Sequence, residues 1–182
     1  MPMHFINQIC TADGKRETID SLITGSNKDI WAKSLSNDWG RLAQGNSLGI
    51  KGTDAIEFIY QYQVPKYSYV THVSCVCDYR PLKQESHRVR IMVGGDILSH
   101  DGDAGAPDAN MLETKIILNS VISDADNGVR FMSADKKDHF LARPMQKSEF
   151  MRVKYKYLPN DIRIQCNLDS KVTPNDHGYI KI

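Results

Sequence analysis

Phe131 to Leu141 reads FMSADKKDHFL, an apolar run closed by Asp135, with an aromatic, Phe140, five residues later. Strand alternation puts Phe131, Ser133 and Asp135 on one face and Met132 and Ala134 on the other. A carboxylate therefore ends a hydrophobic strand that is entered from a turn at Asn127 and Gly128. A carboxylate on a rigid strand suits metal-assisted phosphoryl transfer. There, two Mg²⁺ ions about 4 Å apart clamp the attacking and leaving oxygens, and each ion takes few carboxylates beside water and phosphate. Asp is also a common turn residue after a strand, so Asp135 alone points to a turn more often than to a ligand.

Phosphate chemistry also needs cations, and their placement says more than the net charge of +1. Gln63 to Gly95 holds five Lys and Arg against two acids, and Val129 to Tyr157 holds eight against three. Between them, Asp96 to Asp126 carries seven acids and one Lys. Two basic segments around an acidic one suit a groove for a polyanion, whose condensed counterions are released on binding. Taken alone, ordinary surface charge is the commoner origin of such a pattern.

Periodicity shows the elements that must position these groups. Trp31, Leu35, Trp39 and Leu42 fall at helical spacing within Ser26 to Gln44, with Ser26 or Asn27 as N-cap and Gly45 as the stop. This is an amphipathic helix whose tryptophans belong to a core. Tyr69 to Cys77 and Arg88 to Gly94 are strand-like runs joined by DYRPLKQESH, which predicts an antiparallel hairpin. On its second arm Arg88, Arg90 and Met92 share one face, and Val89, Ile91 and Val93 share the other.

After a turn-rich loop from His100 to Ala109, Asn110 and Glu113 form a capping box ahead of a largely buried helix to Ile122. Glu149 to Tyr157 alternates as a strand. The tail beyond Pro159 predicts a short helix or loop and a last strand near Tyr179 to Ile182. The order is α+β: an antiparallel hairpin plus helices packed on a small sheet, with no repeat and no internal boundary.

Other chemistries find little purchase. Cys75 and Cys77 share a strand face and read as reduced core thiols, because no second Cys pair completes a zinc set. The six His are dispersed, and the loop bearing Asp101, Asp103 and Asp108 has Leu112 where a calcium loop needs Glu. No GxSxG, GxxxxGK or GxGxxG motif occurs. Apolar runs stay far below the roughly 20 residues of a membrane span, and the N-terminus lacks a signal pattern, so neither secretion nor a membrane partner is expected.

Five long segments carry a family resemblance: WAKSLSNDWGRLAQG (Trp31 to Gly45), IKGTDAIEFI (Ile50 to Ile59), VSCVCDYRPLKQESHRVRIMVGGDIL (Val73 to Leu98), LNSVISDADNGVRFMSADKKDHFLARPM (Leu118 to Met145) and EFMRVKYKYLPNDI (Glu149 to Ile162). In this order they resemble the reverse transcriptase domain of Ty1/copia retrotransposon polyproteins. The resemblance implies residues 1–22 as an N-terminal extension and 23–182 as the fingers and first part of the palm of an RNA-directed DNA polymerase. It implies Asp135 as a catalytic, Mg²⁺-binding carboxylate and the Lys136 backbone carbonyl facing the metal. Phe140 would screen the sugar 2′ position of an incoming deoxynucleotide, and Lys83, Arg88 and Arg90 would hold its triphosphate. A bare triphosphate does need delocalised cations, and a hairpin tip can close over it. The partners implied are an RNA or DNA template-primer and the deoxynucleotide, and the location that the family analogy implies is cytoplasmic or nuclear.

The chain departs from the family at Lys136, where an apolar residue is usual, and at His139, where Phe is. The later Gly-rich template grip and Tyr-x-Asp-Asp turn are missing, and no Asp-Asp dipeptide occurs. A truncated domain without autonomous polymerase activity is the expectation. The other expectation is a non-enzymatic module that binds nucleic acid, or that offers a sheet edge to a protein partner.

Overall fold

The computed structural model describes residues 9, 14, 17–95, 110–132, 141, 145, 147–173 and 175–182. In chain order its helices and strands are α1 (Ile19–Thr24), α2 (Lys28–Leu42), β1 (Glu57–Ile59), β2 (Val70–Tyr79), β3 (His87–Val93), α3 (Met111–Ser123), β4 (Phe150–Lys154), α4 (Asn160–Gln165) and β5 (His177–Lys181). The chain divides into two compact units, one formed by Met1–Leu98 with Phe140–Ile182 and one by Ser99–His139. Only α3, among these elements, lies in the second.

The first unit is α+β, with one five-stranded mixed sheet in the order β1, β5, β4, β2, β3. The expected hairpin is β2 and β3, antiparallel with Val73 opposite Val93 and Tyr79 opposite His87. β2 also pairs with β4 in parallel, from Val70 opposite Phe150 to His72 opposite Arg152. β5 lies antiparallel between β4 and β1. The strand expected over Glu149 to Tyr157 is β4, which gives way to a 3-10 turn at Tyr155–Tyr157.

Strand alternation gives the sheet one face of Phe58, Ile180, Met151, Val153, Thr71, Val73, Cys75, Cys77, Val89 and Ile91. α2 packs on this face through Trp31, Leu35 and Trp39, all at most 4% exposed. The Trp39 ring lies 5.9 Å from that of Phe58, and its Nε1 donates to the Tyr157 carbonyl at 2.8 Å. Removing each such side chain from water stabilises the fold by roughly 2 kcal/mol. Asn27 stands at the N-cap of α2 but makes no side-chain capping bond, so packing rather than capping holds this end. Beyond the helix Gly45 takes φ +102°, and a Cβ there would come within 2.5 Å of the Ile50 carbonyl oxygen.

Helix α1 and strand β1 were not foreseen. The six-residue α1 is opened by a capping box between Thr18 and Ser21, and it buries Ile19 in the core. α2 also blocks a sheet edge: Val89 N–H donates to Ser34 Oγ and Ile91 N–H to Asp38 Oδ2, both at 2.8 Å. On the opposite edge Lys171 Nζ donates to the Phe58 carbonyl at 2.7 Å.

In the second unit two expectations are corrected. α3 forms, with the Asn110 side chain accepting from Leu112 N–H at 2.7 Å, but none of its described residues is buried. Met111, Leu112, Ile116, Ile117 and Ile122 are all more than half exposed. Apolar residues run around the whole helix, so no single face gathers them against a neighbour. The turn at Asn127 and Gly128 is present, with Gly128 at φ +81°. The strand expected after it is not seen in its described part: Val129 to Met132 pair with no strand and are exposed, and the remainder to Asp135 lies outside the described residues. No described helix is long and apolar enough to cross a membrane.

Candidate nucleic-acid interface

The sheet face turned away from the helices is built row by row from the pairings. Glu57, Lys181, Phe150 and Val70 form one row, and Ile59, Tyr179, Arg152 and His72 the next. His177 lies opposite Lys154, and farther along β2 come Ser74 opposite Met92, Val76 opposite Arg90 and Asp78 opposite Arg88. Five cations, Arg88, Arg90, Arg152, Lys154 and Lys181, thus share a face with two carboxylates, Glu57 and Asp78. Both carboxylates are engaged, Asp78 by Arg90 at 3.4 Å and Glu57 by Lys181 at 3.9 Å. Among the described residues Arg88, Arg152 and Lys154 have no ion-pair partner.

At the hairpin the cations crowd. Arg80 follows β2, and its N–H donates to the Ser86 carbonyl at 2.6 Å. The Nε atoms of Arg80 and Arg88 are shielded from solvent without a hydrogen-bond partner among the described residues. Burial, then the neighbouring Arg90 and Arg80 charges, hold Arg88 below the usual arginine range. An anion would relieve that repulsion and supply the missing acceptors. Lys83 sits exposed in the connection between the arms, its N–H donating to the Arg80 carbonyl at 3.0 Å.

β2 and β4 stop pairing after His72 and Arg152, and a cleft of about 610 Å³ opens there. Its walls include His72, Ser74, Arg152, Lys154 and His177. Asp20 also lines it, but Lys156 Nζ lies 2.7 Å from that carboxylate and the Tyr157 hydroxyl donates to it at 3.0 Å. The Lys156 hydrogen bond keeps Asp20 below the usual carboxylate range, so it remains an ion already matched by a cation.

Of the residues expected to act, Lys83, Arg88 and Arg90 occupy one hairpin, whereas Asp135, Lys136 and Phe140 lie outside the described residues. Among the described residues no three His, Cys, Asp or Glu side chains gather as a metal-binding set. Arg152 and Lys154 were missed as partners of Arg88 and Arg90. Alternation in Glu149 to Tyr157 puts them on one strand face, but only the parallel pairing of β4 with β2 joins that face to the hairpin. The chain matches no protein-family model, no curated protein and no solved structure.

Proposed function

We propose that this chain binds nucleic acid through the open face of its sheet, as a fingers-and-palm piece of a Ty1/copia-type reverse transcriptase that does not extend a primer by itself. The observation that carries the binding is the set of Arg88, Arg152 and Lys154, free of ion pairs among the described residues and on one face with Arg90 and Lys181. Phosphates spaced along a strand suit such a row, since each neutralised phosphate releases counterions. The resemblance supports the polymerase origin, with template-primer and deoxynucleotide as partners and Lys83, Arg88 and Arg90 toward the triphosphate. The lack of any Asp-Asp dipeptide supports the inactivity of the chain alone. A protein partner at a sheet edge has less to hold, because Ser34, Asp38 and Lys171 already engage edge groups.

The test is fluorescence anisotropy of a labelled oligonucleotide between about 50 and 200 mM salt. Binding should weaken steeply with salt, and Arg88→Ala, Arg90→Ala and Arg152→Ala should each lower the log–log slope by about one. Failure to bind at the lowest salt sinks the proposal. Primer extension with Mg²⁺ or Mn²⁺ tests the other half: extension that disappears in Asp135→Ala would show that the chain is a polymerase in its own right.

A further inference from the structure

Half of the chain's eight tyrosines, Tyr60, Tyr62, Tyr67 and Tyr69, fall in the ten residues that link β1 to β2. Such a density calls for an explanation, because these rings are not core. Tyr62 is 80% exposed, Tyr67 97% and Tyr69 66%. Burying even part of this area against a ligand would be favourable, and a tyrosine has few rotors to immobilise.

The link is held in shape by its own hydrogen bonds. A 3-10 turn spans Gln61–Gln63, and the Gln63 side chain accepts from Tyr60 N–H at 2.8 Å. Ser68 N–H donates to the Pro65 carbonyl at 3.0 Å in a second turn. The Tyr60 and Tyr62 rings stack with centroids 5.2 Å apart and planes 17° from parallel, and Lys171 Nζ lies 5.8 Å from the Tyr60 ring. With Tyr60 against one face of Tyr62, the other face looks to solvent. The stack restricts the ring before any ligand arrives, which lowers the entropy lost on binding.

Topology brings this link to the basic face. The chain leaves β1 at Ile59, level with Tyr179, Arg152 and His72, and re-enters the sheet at Val70, level with Phe150 and Lys181. To do so it must pass β5 and β4, whose opposite face is taken up by the core in which Leu158, Ile162 and Leu168 join the α2 side chains. Ile59 and Phe150, on the open face, are 4% and 8% exposed yet stand apart from the helix-side core, as expected if the crossover shields them. From Phe58 to Cys77 there is no Asp or Glu, while Lys66 adds a cation.

Resting on the reading of the open face as a nucleic-acid surface, we infer that its ligand is single-stranded, with Tyr62, Tyr67 and Tyr69 as a base-stacking platform beside the phosphate-binding cations. Every base offers a ring face to an aromatic side chain once it is unstacked. In a duplex those faces are buried between neighbouring pairs, so the tyrosines gain nothing from it.

The experiment titrates the full chain into labelled single strands of about 12 nucleotides, DNA and RNA, and into a duplex of the same sequence. Single strands should bind about tenfold tighter than duplex. Replacing Tyr62, Tyr67 and Tyr69 together by Ala should weaken single-strand binding by about tenfold or more and leave duplex binding within about twofold; the corresponding Phe variants should bind like the parent. These rings are exposed, so the variants should keep the parent's circular dichroism spectrum. Equal affinity for duplex and single strand, or an Ala variant that binds single strands as the parent does, overturns the platform alone. Loss of no affinity in the tyrosine variants with loss in Arg152→Ala would leave the basic face standing without it, whereas no binding to any nucleic acid removes both.

Discussion

Burial pushes the Cys75 thiol up from an ordinary 9.0 to about 12, with the neighbouring Cys77 adding in the same direction. At pH 8 this leaves roughly a thousandfold less thiolate than an unperturbed thiol would have, and the thiolate is the reactive form. Cys75 in the folded chain should therefore stay unmodified by iodoacetamide at pH 8 over times that label an exposed cysteine, and become labelled once urea unfolds the chain. Peptide mass spectrometry reads both states; labelling of Cys75 at the unfolded rate under native conditions would refute the assignment. Arg88 shows the same physics with the opposite charge. Burial and its Arg90 and Arg80 neighbours work against its cation, and a bound phosphate is the natural remedy. One residue, half-buried, is thus slow to react because its thiolate is poorly solvated, and the other is primed for an anion because its charge is only half accommodated.

At the scale of elements, α2 does two jobs with two sets of side chains. Trp31, Leu35 and Trp39 make the core, while Ser34 and Asp38, four apart on the helix, accept the outward N–H groups of β3. Asp38→Ala leaves the Ile91 amide without its partner and should cost about 1–3 kcal/mol in urea unfolding. Burial, the largest influence, raises the Asp38 carboxyl above its usual 3.8, against the opposing Ile91 hydrogen bond and the Arg41 charge. A carboxyl raised on folding contributes stability below its unfolded value and loses it as pH climbs through the folded one. The stability of Asp38→Asn relative to the parent should therefore become more favourable as pH rises above 3.8, and a difference that shrinks instead would contradict the burial account. The helix itself was legible because Trp31, Leu35, Trp39 and Leu42 repeat at its period, and the hairpin because Val89 and Ile91 alternate with Arg88 and Arg90. α1 and β1 are too short, at six and three residues, to impose a period. For the interface, alternation revealed the faces of β3 and β4 separately. Their union depends on a parallel pairing across more than seventy residues of chain, which no local pattern encodes.

Among the described residues, every buried member of the hydrophobic core lies between Ile19 and Val89 or between Met151 and Ile180, and none falls in Ser99–His139. The interface cations Arg88, Arg90, Arg152, Lys154 and Lys181 lie in the same unit as that core. The expected outcome is that the acidic stretch and the exposed α3 can be removed without loss of folding or of the proposed binding. Geometry permits their removal. Val93 and Phe150 flank β2, two strand spacings or about 10 Å apart, with a further three residues or about 10 Å along the strands. A linker of about ten residues replacing 99–139 reaches across that gap with slack. Shortening the loop between Val93 and Phe150 roughly twofold should stabilise the first unit by about 0.6 kcal/mol, the closure entropy recovered on one halving. The shortened chain should unfold in a single urea transition at a slightly higher midpoint. It should also bind single strands at least as tightly as the parent, because seven of its acids lie in Asp96 to Asp126 and all but Asp96 leave with the deletion. Collapse of the transition would mean that Ser99–His139 supplies packing that the core of the first unit lacks. An intact transition with binding lost would move the interface out of the sheet and into the deleted segment.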